Sequence, residues 1–225
     1  LPASTPRAVG AALCLLPERY NIAVRKPAGV VLERDGALAV EEFDWGLVPR
    51  WSKLPETKYT TMTARLERAP RSRIFRRPWE TQRCVVPMNG YYKWDRAARP
   101  PQPYFIQAQS GEALFAAGLW DHWEKDEPQL YSFAVLTGPN RAIPPPLVPD
   151  GPVFLPADRI EGWIEGPWFP MRFLAQARQP ALEAYPVSRR IQGRDADDYT
   201  LLEPVDPLED AIATAGFGGA DADDE

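Results

Sequence analysis

The stretch "RCVVPMNGYYKWDR", Arg83 to Arg96, places Lys93 between Tyr92 and Trp94, just after a glycine. An amine among aromatic rings has two readings. Burial lowers its pKa and frees the lone pair to attack an aldehyde, forming a Schiff base. The ordinary outcome is an exposed or salt-bridged lysine. A second concentration of chemistry runs from Arg65 to Arg83. It holds Arg65, Arg68, Arg71, Arg73, Arg76, Arg77 and Arg83 against Glu67 and Glu80, a net +5 in nineteen residues. Arginine forks match phosphate oxygens, and Phe75 and Trp79 add stacking platforms, so the stretch suits a single-stranded polyanion. The competing reading is a solvated face with internal salt bridges. Trp51, in "WGLVPRWSK", sits after a proline among polar neighbours and reads as an exposed ring that could stack on a base.

The remaining candidates are weaker. No Gly-rich phosphate loop is present. A Ser/His/Asp triad would have to use His122, the one histidine, whose setting "WDHWE" reads as a strand end. Cys14 and Cys84 read as two buried free thiols of a reducing compartment. One His and two distant Cys fall short of the roughly four ligands that a zinc site wants, so no metal and no cofactor is expected. Glu41, Glu42, Asp195, Asp197 and Asp198 look like solvated charge.

The elements that must position these residues are short. The chain has 225 residues, 44% of them apolar, with 26 prolines that argue against a helical bundle. "GVVLERDGALAVEEFDWG" reads as a hairpin around Asp35-Gly36. "TMTARLERAPRSRIFRR" turns from strand into a short helix or irregular arm. "RCVVP" and "GYYKW" read as strands joined around Asn89-Gly90, and "QPYFIQAQSGEALFAAGLWDHW" as another pair turned at Ser110-Gly111. "YSFAVLT" is a buried strand, Pro144 to Pro146 make a stiff loop, and "PVFL" resumes the sheet. "PADRIEGWI" and "MRFLAQARQP" give two short helices. This order predicts an α+β fold: one domain with a curved, barrel-like, mainly antiparallel sheet and a few short helices, over residues 1–202. Residues 203–225 carry eight acids and no Lys or Arg, which leaves the body at −5 + 8 = +3. Their end, "GFGGADADDE", has no core-forming residues and reads as disordered. No apolar run reaches the ~18 residues of a membrane span. Leu1 to Gly10 lacks a signal-peptide layout. Leu1 is not an initiator Met, so what precedes it stays open.

"RYNIA", "WGLVPRW", "TARLE", "RCVVPMNGYYKW", "PYFI", "FAAGLWD", "FAVLT" and "PVSR" occur in this order between Arg19 and Arg189. In that order they resemble the SRAP family, the SOS-response-associated peptidase proteins. The resemblance implies a protein that shields abasic sites in single-stranded DNA. It also implies a mechanism in which an N-terminal cysteine, exposed by self-cleavage or Met removal, crosslinks to the ring-opened sugar. An asparagine, a glutamate and a histidine support that step. The family's "NARxE" reads "TARLE" here, so the asparagine position is Thr63. "GFYEW" reads "GYYKW", which makes Lys93 the glutamate position. "HxRMP" falls on "VPDGP", so the histidine position is Val148 and the arginine position Asp150. "MCGR" is absent, and Cys14 lies too close to "RYN" to be that nucleophile.

Thr63, Lys93 and Val148 are therefore expected to line one cleft, with the crosslinking and autopeptidase chemistry lost: a pseudoenzyme in the DNA-damage response. The resemblance implies DNA contacts at Trp45, Gly46, Trp51, Arg65, Glu67, Arg71, Arg73, Arg76, Arg77 and Arg83. The expected partner is single-stranded or abasic DNA, bound by a cytoplasmic monomer, nucleoid-associated if the source is bacterial, without a membrane. Two alternatives stay open. One is a protein-interaction module on the same fold. The other is an active enzyme that uses an unseen N-terminal cysteine or Lys93.

Overall fold

The computed structural model describes residues 1–57, 59–193 and 195–215. Helix α1 (Arg7–Leu13) precedes β1 (Pro27–Arg34) and β2 (Ala37–Trp45). Strand β3 (Thr63–Arg65) leads through a 3-10 turn into α2 (Arg76–Thr81). Five strands follow: β4 (Arg83–Met88), β5 (Gly90–Asp95), β6 (Gln102–Ala108), β7 (Leu114–Trp123) and β8 (Leu130–Pro139). The chain continues through β9 (Asp150–Pro152), α3 (Ile160–Glu165), α4 (Pro170–Ala175), β10 (Leu182–Pro186) and α5 (Pro207–Thr214).

The fold is α+β, as the order of elements predicts. Strands β2, β1, β4, β7 and β8 pair in that order, and β8 pairs back onto β2 to close a five-stranded barrel. Strands β3 and β9 extend the sheet from β8. A separate antiparallel sheet runs β10-β6-β5. The Asp35-Gly36 turn closes the β1–β2 hairpin with φ of 51° and 81°, the left-handed pair of a two-residue hairpin loop.

Two expected strand pairs are not pairs. Strand β4 belongs to the barrel and β5 to the second sheet, so Asn89-Gly90 is a crossing between sheets. The same holds for β6 and β7 on either side of Gly111. Gly90 is required by close approach: a Cβ there would lie 2.3 Å from Phe105 Cζ and 2.5 Å from the Ile106 carbonyl oxygen.

The barrel strands are buried on both faces, which is why "CVV" and "FAVL" read as continuous apolar runs. Val31, Val85, Ala117, Leu119, Ala134 and Leu136 fall in one cluster with Trp79 and Trp163 of the helices. Their chain neighbours Val30, Leu32, Cys84, Val86, Ala116, Phe133 and Val135 fall in a second, shared with Ile106 and Leu182 of the smaller sheet. Cys84 is buried, but Cys14 is exposed, contrary to its reading as a buried thiol.

The acidic C-terminal segment begins as packed structure. Asp206 caps α5 by accepting the Leu208 amide at 2.8 Å. Asp210, buried, accepts from Ser188 Oγ at 2.6 Å and from Arg189 Nη1 at 2.8 Å. Residues 203–215 are thus tied to the body by a buried ion pair. The run "GFGGADADDE", expected to be disordered, lies outside the described residues.

Candidate functional site

Side-chain alternation along β5 puts Tyr91 and Lys93 on one face, and Tyr92 and Trp94 on the other. Tyr92 packs on Phe105, with ring centroids 5.4 Å apart, and its hydroxyl donates to the Tyr20 carbonyl at 2.8 Å. Tyr91 packs on Phe154 at 6.2 Å. Lys93 is therefore not held between the rings of its chain neighbours. It meets β9 instead, where its ammonium donates to the Asp150 backbone carbonyl at 2.8 Å. Burial lowers the Lys93 pKa; Arg65 pushes the same way and the Asp150 carboxylate against.

The Asp150 carboxylate is ion-paired with Arg65. Arg65 and Thr63 stand two residues apart on β3, on the face opposite buried Ala64. Thr63, Arg65, Lys93 and Asp150 line a cleft of about 1350 Å³, together with Tyr91 and Trp45. Trp45 is fixed by its indole N–H, which donates to the Met62 carbonyl at 3.0 Å. Cys14 and residues 16–22 also line the cleft.

That N-terminal lining is held by a latch. Asn21 Nδ2 donates to the Ile191 and Ala196 carbonyls, each at 2.9 Å. Asp197 accepts from Arg19 Nε at 2.7 Å and from the Asn21 amide at 2.8 Å. Asp197 is thus structural, contrary to its reading as solvated charge. Nothing in the local sequence of either segment announces this pairing, because the partners are 176 residues apart.

The three positions of the implied catalytic set do not all meet. Thr63 and Lys93 share the cleft, whereas Val148 is 66% exposed and is not among its lining residues. The Asp150 amide donates to the Val148 carbonyl at 2.8 Å. This tight turn breaks the strand alternation that would otherwise put Val148 and Asp150 on one side.

The seven arginines are dispersed rather than aligned. Only Arg65 among them lines the cleft. Arg68, Arg71, Arg76 and Arg77 are exposed outside it, as is Glu67, which lies 3.8 Å from Arg68. Arg73 covers the Trp51 ring at 4.5 Å, and Trp51 as a whole residue is 39% exposed. Arg83, placed among the DNA contacts by its motif position, is 8% exposed with its guanidinium 5.3 Å from the Trp163 ring. It is covered by α3 and cannot reach a phosphate in this conformation. Gly46, with φ of 119°, donates its amide to the Phe133 carbonyl at 2.9 Å and serves the β2–β8 closure. Among the described residues, no group of three or more His, Cys, Asp or Glu is arranged to hold a metal ion, and no helix is long and apolar enough to cross a membrane.

The fold and the chain both have relatives. A crystal structure of a Bacteroides thetaiotaomicron protein superimposes with a TM-score of 0.74 at 22% identity, covering 89% of this chain and 91% of that one. An abasic site processing protein of Saccharomyces cerevisiae is 39% identical over 120 residues, which is 52% of this chain but only 32% of the yeast protein. The abasic site processing protein YoqW of Bacillus subtilis is 25% identical over 190 residues, 82% of this chain and 85% of that one. Residues 8–193 match the family model described as SOS response associated peptidase (SRAP). With most of its length under that match, and with the barrel and most of the cleft built from the matched residues, the chain belongs to the SOS response associated peptidase family.

Proposed function

We propose that the protein binds single-stranded DNA at abasic sites, with the lesion in the cleft between β3, β5 and β9. The observation that carries this reading is the Arg65–Asp150–Lys93 cluster, which puts two cations beside Thr63 in a cleft large enough for an extruded sugar. The names of the relatives support the choice of lesion. Arg65 serves a flanking phosphate, and Trp51 stacks on a base through the ring face that Arg73 leaves open. With Thr63 and Lys93 in the cleft at two of the three supporting positions, the family's cysteine-dependent crosslink and its self-cleavage are lost.

The test is a fluorescence anisotropy titration of a short single strand carrying one tetrahydrofuran abasic analogue, alongside the intact strand. The expected result is preference for the abasic strand. Indifference to both strands at low salt would remove the DNA reading. Trp51→Ala should weaken binding by ~1–3 kcal/mol with an unchanged salt slope, because stacking releases no counterions. Deleting residues 216–225 removes four acids, Asp221, Asp223, Asp224 and Glu225, while leaving α5 in place. It should tighten binding if those charges repel the strand, read in the same titration.

One observation favours a second reading, in which the fold serves a protein partner. Trp168 is 96% and Phe169 70% exposed on the connection between α3 and α4. Under that reading the anisotropy titration stays flat, and Trp168→Ala changes nothing in it.

A further inference from the structure

We propose that Lys93 is a nucleophile, and that it captures the aldehyde of a ring-opened abasic sugar in this cleft as a reversible Schiff base. The identity of the aldehyde rests on the abasic-DNA reading above. The reactivity of the amine stands on the cleft itself.

The chain has five lysines: Lys26, Lys53, Lys58, Lys93 and Lys125. Among the described residues, Lys26, Lys53 and Lys125 are exposed, and Lys93 is the lysine that lines the cleft. Among the described residues, its one hydrogen bond runs to a backbone carbonyl at 2.8 Å. A carbonyl accepts from an ammonium and from a neutral amine alike, so losing a proton does not break the contact. The Asp150 carboxylate, which acts on Lys93 through its charge, is already engaged by Arg65. A free salt bridge that would lock the ammonium is therefore missing among the described residues. Burial and Arg65 both favour the neutral amine.

The step balances without a co-reactant. The Nζ gives up a proton, and its lone pair adds to the aldehyde carbon while the carbonyl oxygen takes a proton. The resulting carbinolamine then loses that oxygen as water. The sum is ammonium plus aldehyde giving a protonated imine plus water, with no redox change. The iminium keeps the positive charge of the lysine, so the net charge of the cleft is unchanged by the step. Hydrolysis reverses the step and releases the strand intact.

Borohydride reduction followed by mass spectrometry tests the proposal. The protein is incubated with a strand carrying a true abasic site, and separately with glyceraldehyde 3-phosphate as a small aldehyde probe. The expected result is a reduced adduct mapping to Lys93 from both. Its yield should fall about tenfold or more in Lys93→Arg, which keeps the charge but is far less nucleophilic. A melting temperature within about 2 °C of the parent protein shows that Lys93→Arg is folded. If the parent protein binds the tetrahydrofuran strand, which has no aldehyde, but no adduct forms with the true abasic strand or the small aldehyde, the proposal is overturned and the binding reading survives. It is also overturned if the adduct persists in Lys93→Arg or maps to another amine. If the tetrahydrofuran strand does not bind, the abasic-DNA reading fails, and labelling of Lys93 by glyceraldehyde 3-phosphate then decides the reactivity of the amine alone.

Discussion

Gly90→Ala is expected to destabilise the protein by about 3 kcal/mol, near the top of the usual range for overpacking. The added methyl meets Phe105 Cζ at 2.3 Å and the Ile106 carbonyl oxygen at 2.5 Å. The ring could turn aside, although Phe105 is buried. The carbonyl belongs to the backbone of β6, the strand that pairs with β5. It can move only by opening that pairing. For a chain of this size the melting temperature should fall by roughly 6–12 °C. Thermal denaturation followed by circular dichroism reads it. A fall of under about 2 °C would mean that β5 does not approach β6 as described. Lys93 lies three residues further along β5, so the variant should also lose the Lys93 contact with Asp150 and with it part of the cleft.

Arg65→Ala should weaken binding to the abasic strand by about ten- to a hundredfold at low salt, which is about 1.4–2.8 kcal/mol. Two effects add. One phosphate contact disappears, so the salt dependence should become shallower by about 0.7 log units per log unit of salt. The Asp150 carboxylate also loses its ion-pair partner and faces the strand as an uncompensated negative charge. Arg65→Lys separates these effects, because it retains the charge but not the fork. It should restore most of the slope and only part of the affinity. Arg77→Ala is the comparison, since Arg77 is exposed and outside the cleft. If both alanine variants behave alike, the cleft has no special claim on the strand.

The legible parts of the fold were those encoded by neighbouring residues. Asp35-Gly36 supplies two left-handed residues, and the hairpin follows from turn chemistry alone. The barrel strands were legible as strands because both of their faces are buried. Which strand pairs with which was not legible. Residues 83–95 and 102–123 each look like a pair, but each pair is divided between two sheets. The deciding fact is that β6 needs Gly90 for its close approach, and one glycine does not reveal its neighbour. Helices α1 and α5 and strand β10 are too short to give a periodic signal. The same limit applies to the site. Thr63, Arg65 and Lys93 lie within short strands, and their motif positions correspond to a shared place on the cleft wall. The motifs could not distinguish Arg65, in the cleft, from Arg83, under α3, since that difference comes from a helix about eighty residues away. Val148 lies outside the cleft for a local reason, the turn that joins it to Asp150.

Hydrogen–deuterium exchange with and without the tetrahydrofuran strand tests the central claim most directly. It reports where the strand sits without requiring chemistry. Binding in the cleft predicts slower exchange in peptides covering β3, β5 and β9, residues 63–65, 90–95 and 150–152. Peptides covering residues 16–22, which line the same cleft, should slow as well. Protection confined to α2 and the exposed arginines around it, with β5 and β9 unchanged, would contradict the account.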